Sequence, residues 1–533
     1  MPADYISFRD TSYFSSLICD YLDEKDALKP FYNRFPRLEN FKAQIVEKQS
    51  SFNDDSRDAL VKALNKQYKN VEASGLTQTN INLLKNSNTF TVVTGHQLNL
   101  FTGPLYFFYK IISTINLCKE LKAQYPEYDF VPIYWMASED HDFEEINFFN
   151  FKGKKVQWNR DASGAVGDLN LDGLDQVFEI FSSQLNGSVN ALELKSNFNK
   201  SYLNSSNLAK SMHYLVNEFF KDYGLVIVDG NDHDLKTCFI PYVEDELTKQ
   251  TSFSKVSEAN QNLNALDGNY KIQVNPREIN LFYIKENLRE RIIKKGEIFQ
   301  VNNTNITFSK SEILKEVYDF PERFSPNVIL RPLYQEVVLP NLCYIGGGGE
   351  LAYWLQLKSN FESQKVVFPM LLLRNSALLI TEKQKEKLGK LNVEVSDLFL
   401  NQDVLKTKIT KQISTINIDL SSQKQHLKIQ FKSLYDIAEK TDASFKGAVA
   451  AQEQKQINGL EALEKRLLKA QKRKLSDHIS RIVELQNELF PNQSLQERYM
   501  NFSEFYLDYG SDFIPKLIQS LKPLQGEFSI VQV

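Results

Sequence analysis

The 533-residue chain has no excess of basic residues, because 63 lysines and arginines stand against 67 aspartates and glutamates. This balance gives no indication of a nucleic-acid partner, since such proteins usually carry a basic surface. No apolar run approaches the roughly 20 residues that a membrane-spanning helix needs. The first ten residues, MPADYISFRD, also lack the basic and apolar regions of a signal peptide. We therefore expect a cytoplasmic protein with neither a nucleic-acid nor a membrane partner.

Cysteine is scarce as well, and the four cysteines do not form a CxxC pair. Such scattered cysteines are typical of reduced thiols without a structural role, which fits the cytoplasm. Aromatic residues are plentiful instead, with 24 tyrosines and 37 phenylalanines, which favours a large packed core. A chain of this length should form two or more domains.

The segment 89–147 has the pattern around which the rest of the chain is organised. Two short apolar runs, 90–93 and 130–136, each end abruptly in polar residues, and apolar residues recur at helical spacing between them over 104–122. This pattern predicts a β-α-β unit of a parallel sheet. Ligands of such sheets bind outside the carboxyl ends of the strands, where both polar clusters fall. We therefore expect the active site at this edge.

Further strand-like runs at 225–228, 343–345 and 366–373 extend the prediction to an α/β fold with a parallel sheet. The run 327–330 also reads as a strand, and short alternating runs between 270 and 308 predict an antiparallel insertion. The predicted domains are a helical flank (1–88), a sheet core (89–380) with insertions at about 149–219 and 265–320, a helical arm (381–490) and a tail that packs on the core (491–533).

The predicted arm has little glycine or proline and repeats apolar residues at steps of three or four. Two long helices that fold back as an antiparallel coiled coil explain this pattern, with a turn at about 442–447. The apolar seam either mediates self-association or is buried within one hairpin. The sequence leaves both open.

The stretch TGHQLNLFTGP, at the end of the first strand, is a candidate anion site. Its glycines let backbone N–H groups approach a ligand, the following helix offers its positive end, and its hydroxyl, amide and imidazole groups add donors. Lys110 lies two turns into that helix, too far along it to be counted on for the same ligand. The alternative is a tight structural turn with capping hydroxyls. The candidates are Thr94, Gly95, His96, Gln97, Thr102 and Gly103.

The second strand ends in an acidic cluster around an imidazole: Glu139, Asp140, His141 and Asp142. Carboxylate and imidazole groups could bind a divalent metal, bind a cationic amine, or perform general acid–base catalysis. Adjacent residues cannot all face one point, so at most two or three serve one site. The alternative is a solvated acidic loop.

A third candidate follows later strands. Asn327 and Arg331 come after one predicted strand, and Arg331 could bind a carboxylate or phosphate with two hydrogen bonds. Four consecutive glycines before a helix predict a backbone cradle for an anion. The alternative is a flexible turn with Arg331 in a structural ion pair. The loop candidates are Gly347, Gly348, Gly349 and Glu350.

Four segments together resemble the BshC family, the cysteine-adding ligases of bacillithiol biosynthesis: TGHQLNLFTGPLYFFYK, PIYWMASEDHDFEEIN, RPLYQEVVLP and GGGGELAYWLQLK. The resemblance extends over essentially the whole chain. It implies a Rossmann-like core similar to class I aminoacyl-tRNA synthetases, two connective insertions and a C-terminal coiled coil that forms a homodimer. It also implies an amide bond between the carboxyl group of cysteine and the amine of glucosaminyl-malate, the last step of the pathway.

On this resemblance, we expect His141, Asp140 and His96 to be catalytic, with His141 as the base for the attacking amine and Asp140 holding an ammonium or a sugar hydroxyl. Residues 94–97, 102 and 103 would hold anionic groups, and Arg331 with the glycine loop would hold malate carboxylates or a nucleotide. The cofactor stays open, with ATP or ADP as the candidate. Two alternatives remain: a metal-dependent hydrolase that uses the acidic cluster, and a non-catalytic coiled-coil scaffold on a degenerate nucleotide-binding fold.

Overall fold

The computed structural model describes residues 3–533, which form two compact units. The first unit runs to Leu378 and includes Gln496–Gln532, and the second is Leu379–Leu495. The predicted tail thus belongs largely to the first unit. Within residues 3–533, no helix is both long enough and apolar enough to cross a membrane.

A five-stranded parallel sheet forms the centre of the first unit. In chain order, its strands are β1 (Thr89–His96), β2 (Asp129–Met136), β3 (Val226–Asp229), β4 (Asn341–Gly346) and β5 (Met370–Leu373). Their order across the sheet is β5-β4-β1-β2-β3, and every neighbouring pair is parallel. The predicted Rossmann-like α/β fold is confirmed.

The strand ends lie at one edge of this sheet. His96 pairs with Met136, Met136 with Asp229, and Gly346 with Leu373. Because these register partners are the last residues of their strands, the loops that follow them emerge side by side.

Helix α1 (Tyr106–Gln124) connects β1 to β2 and is largely buried. Its residues Leu117 and Leu121 pack with Phe90 and Phe130 of the sheet in one apolar cluster. Parallel strands covered on both faces are continuously apolar, which is why these runs were recognisable in the sequence. The packing fixes the beginning of α1 beside the carboxyl edge of the sheet.

Helices precede the sheet and fill the first insertion, as predicted. The helices before β1 are Ser16–Leu22, Phe41–Ser51, Asp54–Gln67 and Gly75–Leu83. Between β2 and β3 lie the helices Phe143–Ile146, Leu174–Ser183, Val189–Phe198 and Leu208–Phe220 and the hairpin Phe148–Phe151 with Lys154–Gln157.

The second insertion forms a separate antiparallel sheet. Its strands are Leu281–Lys285, Leu288–Lys295, Ile298–Val301, Thr307–Phe308 and Phe324–Pro326. The strand predicted at 327–330 is wrong: the side chain of Asn327 accepts hydrogen bonds from the N–H groups of Ile329 and Leu330, which makes a turn. Between β3 and β5 the chain also forms the helices His233–Lys249, Thr251–Asn264, Lys310–Asp319, α2 (Arg331–Val338), α3 (Gly348–Trp354) and Lys358–Ser363.

The end of the chain returns to the first unit. Its helices are Gln496–Tyr499, Phe502–Tyr509 and Phe513–Ser520. The strand Phe528–Gln532 then pairs with the strand Ala3–Ile6 in antiparallel orientation. A further strand, Ala377–Ile380, lies where the chain passes from one unit to the next.

The second unit is helical and contains the predicted hairpin. Helices Ser421–Ala438 and Ala443–Lys474 pack through a cluster that includes Phe431 and Val449. The turn between them is residues 439–442, slightly earlier than the predicted 442–447, because the side chain of Asp442 accepts a hydrogen bond from Phe445 N–H and caps the helix that begins at Ala443. The other helices are Glu382–Leu391, Gln402–Ile413 and Ser476–Leu489.

Candidate active site

A cleft of about 770 Å³ opens at the carboxyl edge of the parallel sheet. Every strand of that sheet contributes to its lining through the residues that follow it. These are Gly95–Gln97 around the end of β1, Glu139–Asp142 after β2, Gly230 after β3, Gly347–Glu350 after β4 and Arg374 after β5. The placement expected for an open α/β sheet therefore holds for this molecule.

Twelve of the fifteen predicted site residues line this one cleft. They are Gly95, His96, Gln97, Glu139, Asp140, His141, Asn327, Arg331, Gly347, Gly348, Gly349 and Glu350. The loops after separate strands thus converge, and His96 and Asp140 share a cavity.

The other three predicted residues do not line the cleft. The hydroxyl of Thr94 donates to the carbonyl of Ile345 at 2.8 Å, which joins β1 to β4 inside the core. Thr102 and Gly103 form a turn with positive φ values, and Asn501 donates to the carbonyl of Gly103 at 2.6 Å. The three residues thus lie outside the cleft in which we expected them to hold an anion, and the Thr102 hydroxyl is buried without a hydrogen-bond partner in residues 3–533.

The carboxylate of Asp140 is held by hydrogen bonds from two directions. Gln97 Nε2 donates to Oδ2 at 2.8 Å, and the backbone N–H of His141 donates to Oδ1 at 2.7 Å. Burial alone would raise the pKa of Asp140, but the hydrogen bonds from His141 and Gln97 outweigh it and hold the pKa well below its usual value. Asp140 is therefore an anion at neutral pH, suited to binding a cation and unsuited to acting as a general acid.

The imidazole of His141 is engaged by an arginine from the second insertion. Arg289 Nη1 lies 2.5 Å from His141 Nδ1, and the Arg289 guanidinium stacks 4.0 Å above the ring of Phe282. Since arginine can only donate, Nδ1 accepts, and the proton of a neutral imidazole is on Nε2. His141 therefore presents a donor to the cleft while Arg289 occupies the lone pair of Nδ1.

The first histidine of the site is enclosed by aromatic rings. His96 lies 5.4 Å from the ring of Tyr106 and 5.1 Å from that of Phe107, between ring centroids. Burial, with Lys110 and Arg374 nearby, holds the pKa of His96 well below its usual value, so the imidazole is neutral. Within the described chain, its Nε2 is buried and has no hydrogen-bond partner.

The glycine loop carries its own carboxylate. The backbone N–H of Gly347 donates to Glu350 Oε2 at 2.8 Å, which caps helix α3. The hydroxyl of Tyr344 donates to Glu350 Oε1 at 2.7 Å, and Lys110 Nζ lies 2.6 Å from Oε2. A side chain of the protein therefore occupies the first N–H group of the predicted anion cradle.

Arg331 is a cation of the cleft whose hydrogen-bond partners are neutral. Its Nη1 donates to Gln335 Oε1 at 3.0 Å, and its Nη2 donates to the Tyr353 hydroxyl at 3.2 Å. No ion pair joins it to a carboxylate anywhere in residues 3–533. Burial alone would lower the pKa of Arg331, but Tyr353 and Tyr344 outweigh it, so the guanidinium stays charged.

Six cleft residues that were not predicted are cations. Lys110 donates to the carbonyl of Gly95 at 2.8 Å, so its expected distance from the site is wrong. Helix α1 begins at Tyr106, two residues later than predicted, and helical side chains lean towards the N-terminus. The alternation of LRERIIKK could have shown that Arg289 and Arg291 share a face. The other unpredicted cations are Arg277, Arg374 and Arg498.

The acidic cluster does not converge on a metal position. Glu139 forms an ion pair with buried Lys236, whereas Asp140 turns to Gln97 and His141. No group of three or more histidine, cysteine, aspartate or glutamate side chains in residues 3–533 is arranged to hold a metal ion. The donor set therefore does not favour the hydrolase alternative.

Two family models together match nearly the whole chain. Residues 1–375 match the description "Bacillithiol biosynthesis BshC, N-terminal Rossmann-like domain", and residues 377–533 match "Bacillithiol biosynthesis BshC, C-terminal coiled-coil domain". Three relatives carry the printed name "Putative cysteine ligase BshC". The proteins of Flavobacterium johnsoniae and Flavobacterium psychrophilum are 58% and 60% identical over 533 residues, covering all of both chains. That of Cytophaga hutchinsonii is 39% identical and covers 97% of this chain and 96% of its own.

Proposed function

Because the chain belongs to the BshC family and is a ligase of bacillithiol biosynthesis, we propose that it joins the carboxyl group of cysteine to the amine of glucosaminyl-malate. The product is an amide, formed in the last step of the pathway. We place this reaction in the cytoplasm, where the four free cysteines stay reduced.

The observation that carries this proposal is the pairing of opposite charges in one cleft. Asp140 is an ionised carboxylate, and Arg331 is a charged guanidinium with only neutral partners. A zwitterionic amino acid needs an anion for its ammonium group, and a malate moiety needs a cation for its carboxylates. The cleft offers both and has room for two small molecules.

We assign the predicted residues accordingly. Asp140, held by Gln97, binds the ammonium of cysteine, and Arg331 binds a malate carboxylate. Gly347–Gly349 line the cleft, with Gly347 beside Arg374, and His96 stays neutral beside Tyr106. His141 donates from Nε2 to a bound oxygen. It accepts the proton of the attacking amine only when Arg289 turns from Nδ1 to a substrate carboxylate.

Amide formation from a free carboxylate is uphill in water, so the reaction needs an activating step. ATP is the candidate energy source, and the assay should therefore be run with and without it. Product formation is followed as bacillithiol, by mass spectrometry of the thiol.

The direct test replaces Asp140 with Asn in the full chain and measures bacillithiol in a complemented null strain. The matched control is Asp142→Asn, which removes the same charge from the same loop at a more exposed side chain. We expect thiol output to fall at least about tenfold with Asp140→Asn and much less with Asp142→Asn, because an ammonium–carboxylate contact contributes more than 1.4 kcal/mol. Full output from Asp140→Asn and from His141→Ala would remove both residues from the chemistry.

We further propose that the helical unit forms a homodimer. The hairpin buries Phe431 and Val449 between its own helices, but Ile429 and Leu463 remain 58% and 55% exposed. Exposed apolar side chains on long helices favour a second copy as the partner. Light scattering should give twice the chain mass, and Leu463→Glu with Ile429→Glu should give the monomer. A wild-type monomer at micromolar concentration would contradict the proposal.

A further inference from the structure

Glu350 is an acidic side chain in the cationic half of the cleft, which we define as Lys110, Arg331, Arg374 and Glu350. Its carboxylate receives hydrogen bonds from Gly347 N–H and from the Tyr344 hydroxyl, and it pairs with Lys110 at 2.6 Å. The Glu350 side chain is 26% exposed and faces the cleft, whereas that of Lys110 is 3% exposed.

The charges of this half nearly cancel when no ligand is bound. Lys110 is balanced by Glu350, and Arg374 is balanced by buried Glu497 at 2.8 Å. Arg331 alone among the three cations has no carboxylate partner within the described residues. Arg498 adds an exposed positive charge at the rim of the cleft. The half is therefore matched to a ligand of low negative charge.

Glu350 is poorly suited to two other roles. As a base it would need a pKa near neutrality. Burial alone would raise that pKa, but Lys110, Gly347 and Tyr344 outweigh burial and lower it. As a helix cap it would need only an acceptor oxygen, which a neutral amide also supplies. The negative charge is the counterion of buried Lys110, and it also lines the cleft, where a bound anion meets it.

We propose that Glu350 is a specificity-determining residue that limits the negative charge a ligand can carry into the cationic half. A bound carboxylate on Arg331 approaches Glu350, because both side chains line the same wall near Tyr344. Glu350 repels each negative charge of a ligand. Ligands with more negative charge than malate are therefore rejected, while the malate moiety of the correct substrate is accepted. This inference rests on the proposed function in taking malate as the anion.

The repulsion has a recognisable signature, since Coulomb energy is proportional to ligand charge. Replacing Glu350 with Gln keeps the shape and the acceptor oxygen but removes the charge. At an effective dielectric constant of about 20–40, one unit charge within several ångströms changes affinity about tenfold. The affinity for a monoanion should therefore rise about tenfold, and the affinity for a dianion should rise by more, up to about a hundredfold when both of its charges lie equally near residue 350.

The experiment is calorimetric titration of the full chain with L-malate and with L-lactate, a monoanion of similar chemistry. The proteins are the wild type, Glu350→Gln and the control Asp142→Asn. The control removes one negative charge from the part of the cleft that contains Asp140. We expect Glu350→Gln to bind both anions more tightly, with a larger gain in affinity for malate than for lactate. Asp142→Asn should change either affinity by less than about threefold. Tyr344→Phe keeps the Glu350 carboxylate, so the affinity for malate relative to that for lactate should stay at its wild-type value.

Equal gains for malate and lactate would overturn the inference, because the effect would not depend on ligand charge. Equal gains in anion affinity for Glu350→Gln and Asp142→Asn would overturn the inference too, since removing any carboxylate from the cleft would then have the same effect. Unchanged malate binding in a folded Glu350→Gln protein refutes the role of Glu350 and leaves the ligase proposal intact. No malate binding by any of the proteins would refute the inference, and ligation measured with glucosaminyl-malate then tests the ligase proposal separately.

Discussion

Loss of the buried lysine beneath the cleft should destabilise the first unit far more than loss of a surface lysine on the same helix. Lys48 Nζ lies 3.1 Å from Glu336 Oε2, and the two side chains are 2% and 0% exposed. Glu336 also accepts hydrogen bonds from Gln335 and Asn341, and Gln335 in turn accepts one from Arg331. Lys48→Met therefore leaves an uncompensated carboxylate inside the network that supports the cleft.

The size of the effect follows from burial. Removing one partner of a buried ion pair costs about 3–5 kcal/mol, because the remaining charge stays desolvated. Lys42, on the same helix as Lys48, pairs with Glu127, but those side chains are 48% and 52% exposed. Lys42→Met should cost less than about 1 kcal/mol. Comparing Lys48→Met with Lys42→Met separates the effect of burying an unpaired charge from the effect of losing a lysine.

The deficit should also depend on pH with a definite sign. Burial raises the pKa of Glu336 even beside Lys48, and loss of Lys48 raises it further. A carboxyl whose folded pKa exceeds its unfolded value stabilises the fold at low pH and loses that contribution as the pH rises through the folded pKa. The Lys48→Met deficit should therefore be largest at about pH 8 and smaller at about pH 5.

The assay is urea unfolding, followed by tryptophan fluorescence, of the wild type, both single variants and the double variant Lys48→Met with Glu336→Gln. The double variant should recover most of the loss, since it buries no unpaired charge. Equal stabilities of Lys48→Met and Lys42→Met, or a deficit that grows towards acid, would refute the reasoning.

Three further outcomes are expected. Gly103→Ala should lower the melting temperature by several degrees, because its φ is +61° and an added Cβ would clash with a neighbouring side chain, whereas Gly349→Ala, with open space around it, should not. Thr94→Val should cost about 1 kcal/mol in unfolding experiments and leave KM unchanged, since its hydroxyl bonds within the core. Arg289→Ala should lower kcat/KM at least about tenfold, because His141 Nδ1 loses the donor that keeps the imidazole proton on Nε2. An unchanged melting temperature of this variant is the control for folding.

The elements predicted best were those with a signal in consecutive residues. β1 and β2 are apolar along their length because both faces of a parallel sheet are covered. The error at 327–330 and the displaced turn at 439–442 arose where one side chain redirects the backbone. Asn327 turns an apolar run away from a strand, and Asp442 caps a helix that begins within the segment where the turn was expected.

For the candidate site, the residues directly after strands were predicted, and those that reach the cleft from elsewhere were missed. Lys110 reaches it from helix α1 and Arg289 from the antiparallel insertion. Arg374 follows β5 and was open to the same reasoning as the other strand ends. Thr94 was placed at the correct strand end, but its side chain points into the core.

The sequence by itself determined the parallel sheet, the edge at which polar residues collect and the helical unit beyond it, because these depend on periodicity between near neighbours. The tertiary structure alone decided which charges meet: Glu350 with Lys110, Arg289 with His141, and Arg331 with neutral partners. Such pairs join residues far apart in the chain. Their distances are set by the packing of whole elements, which no local pattern encodes.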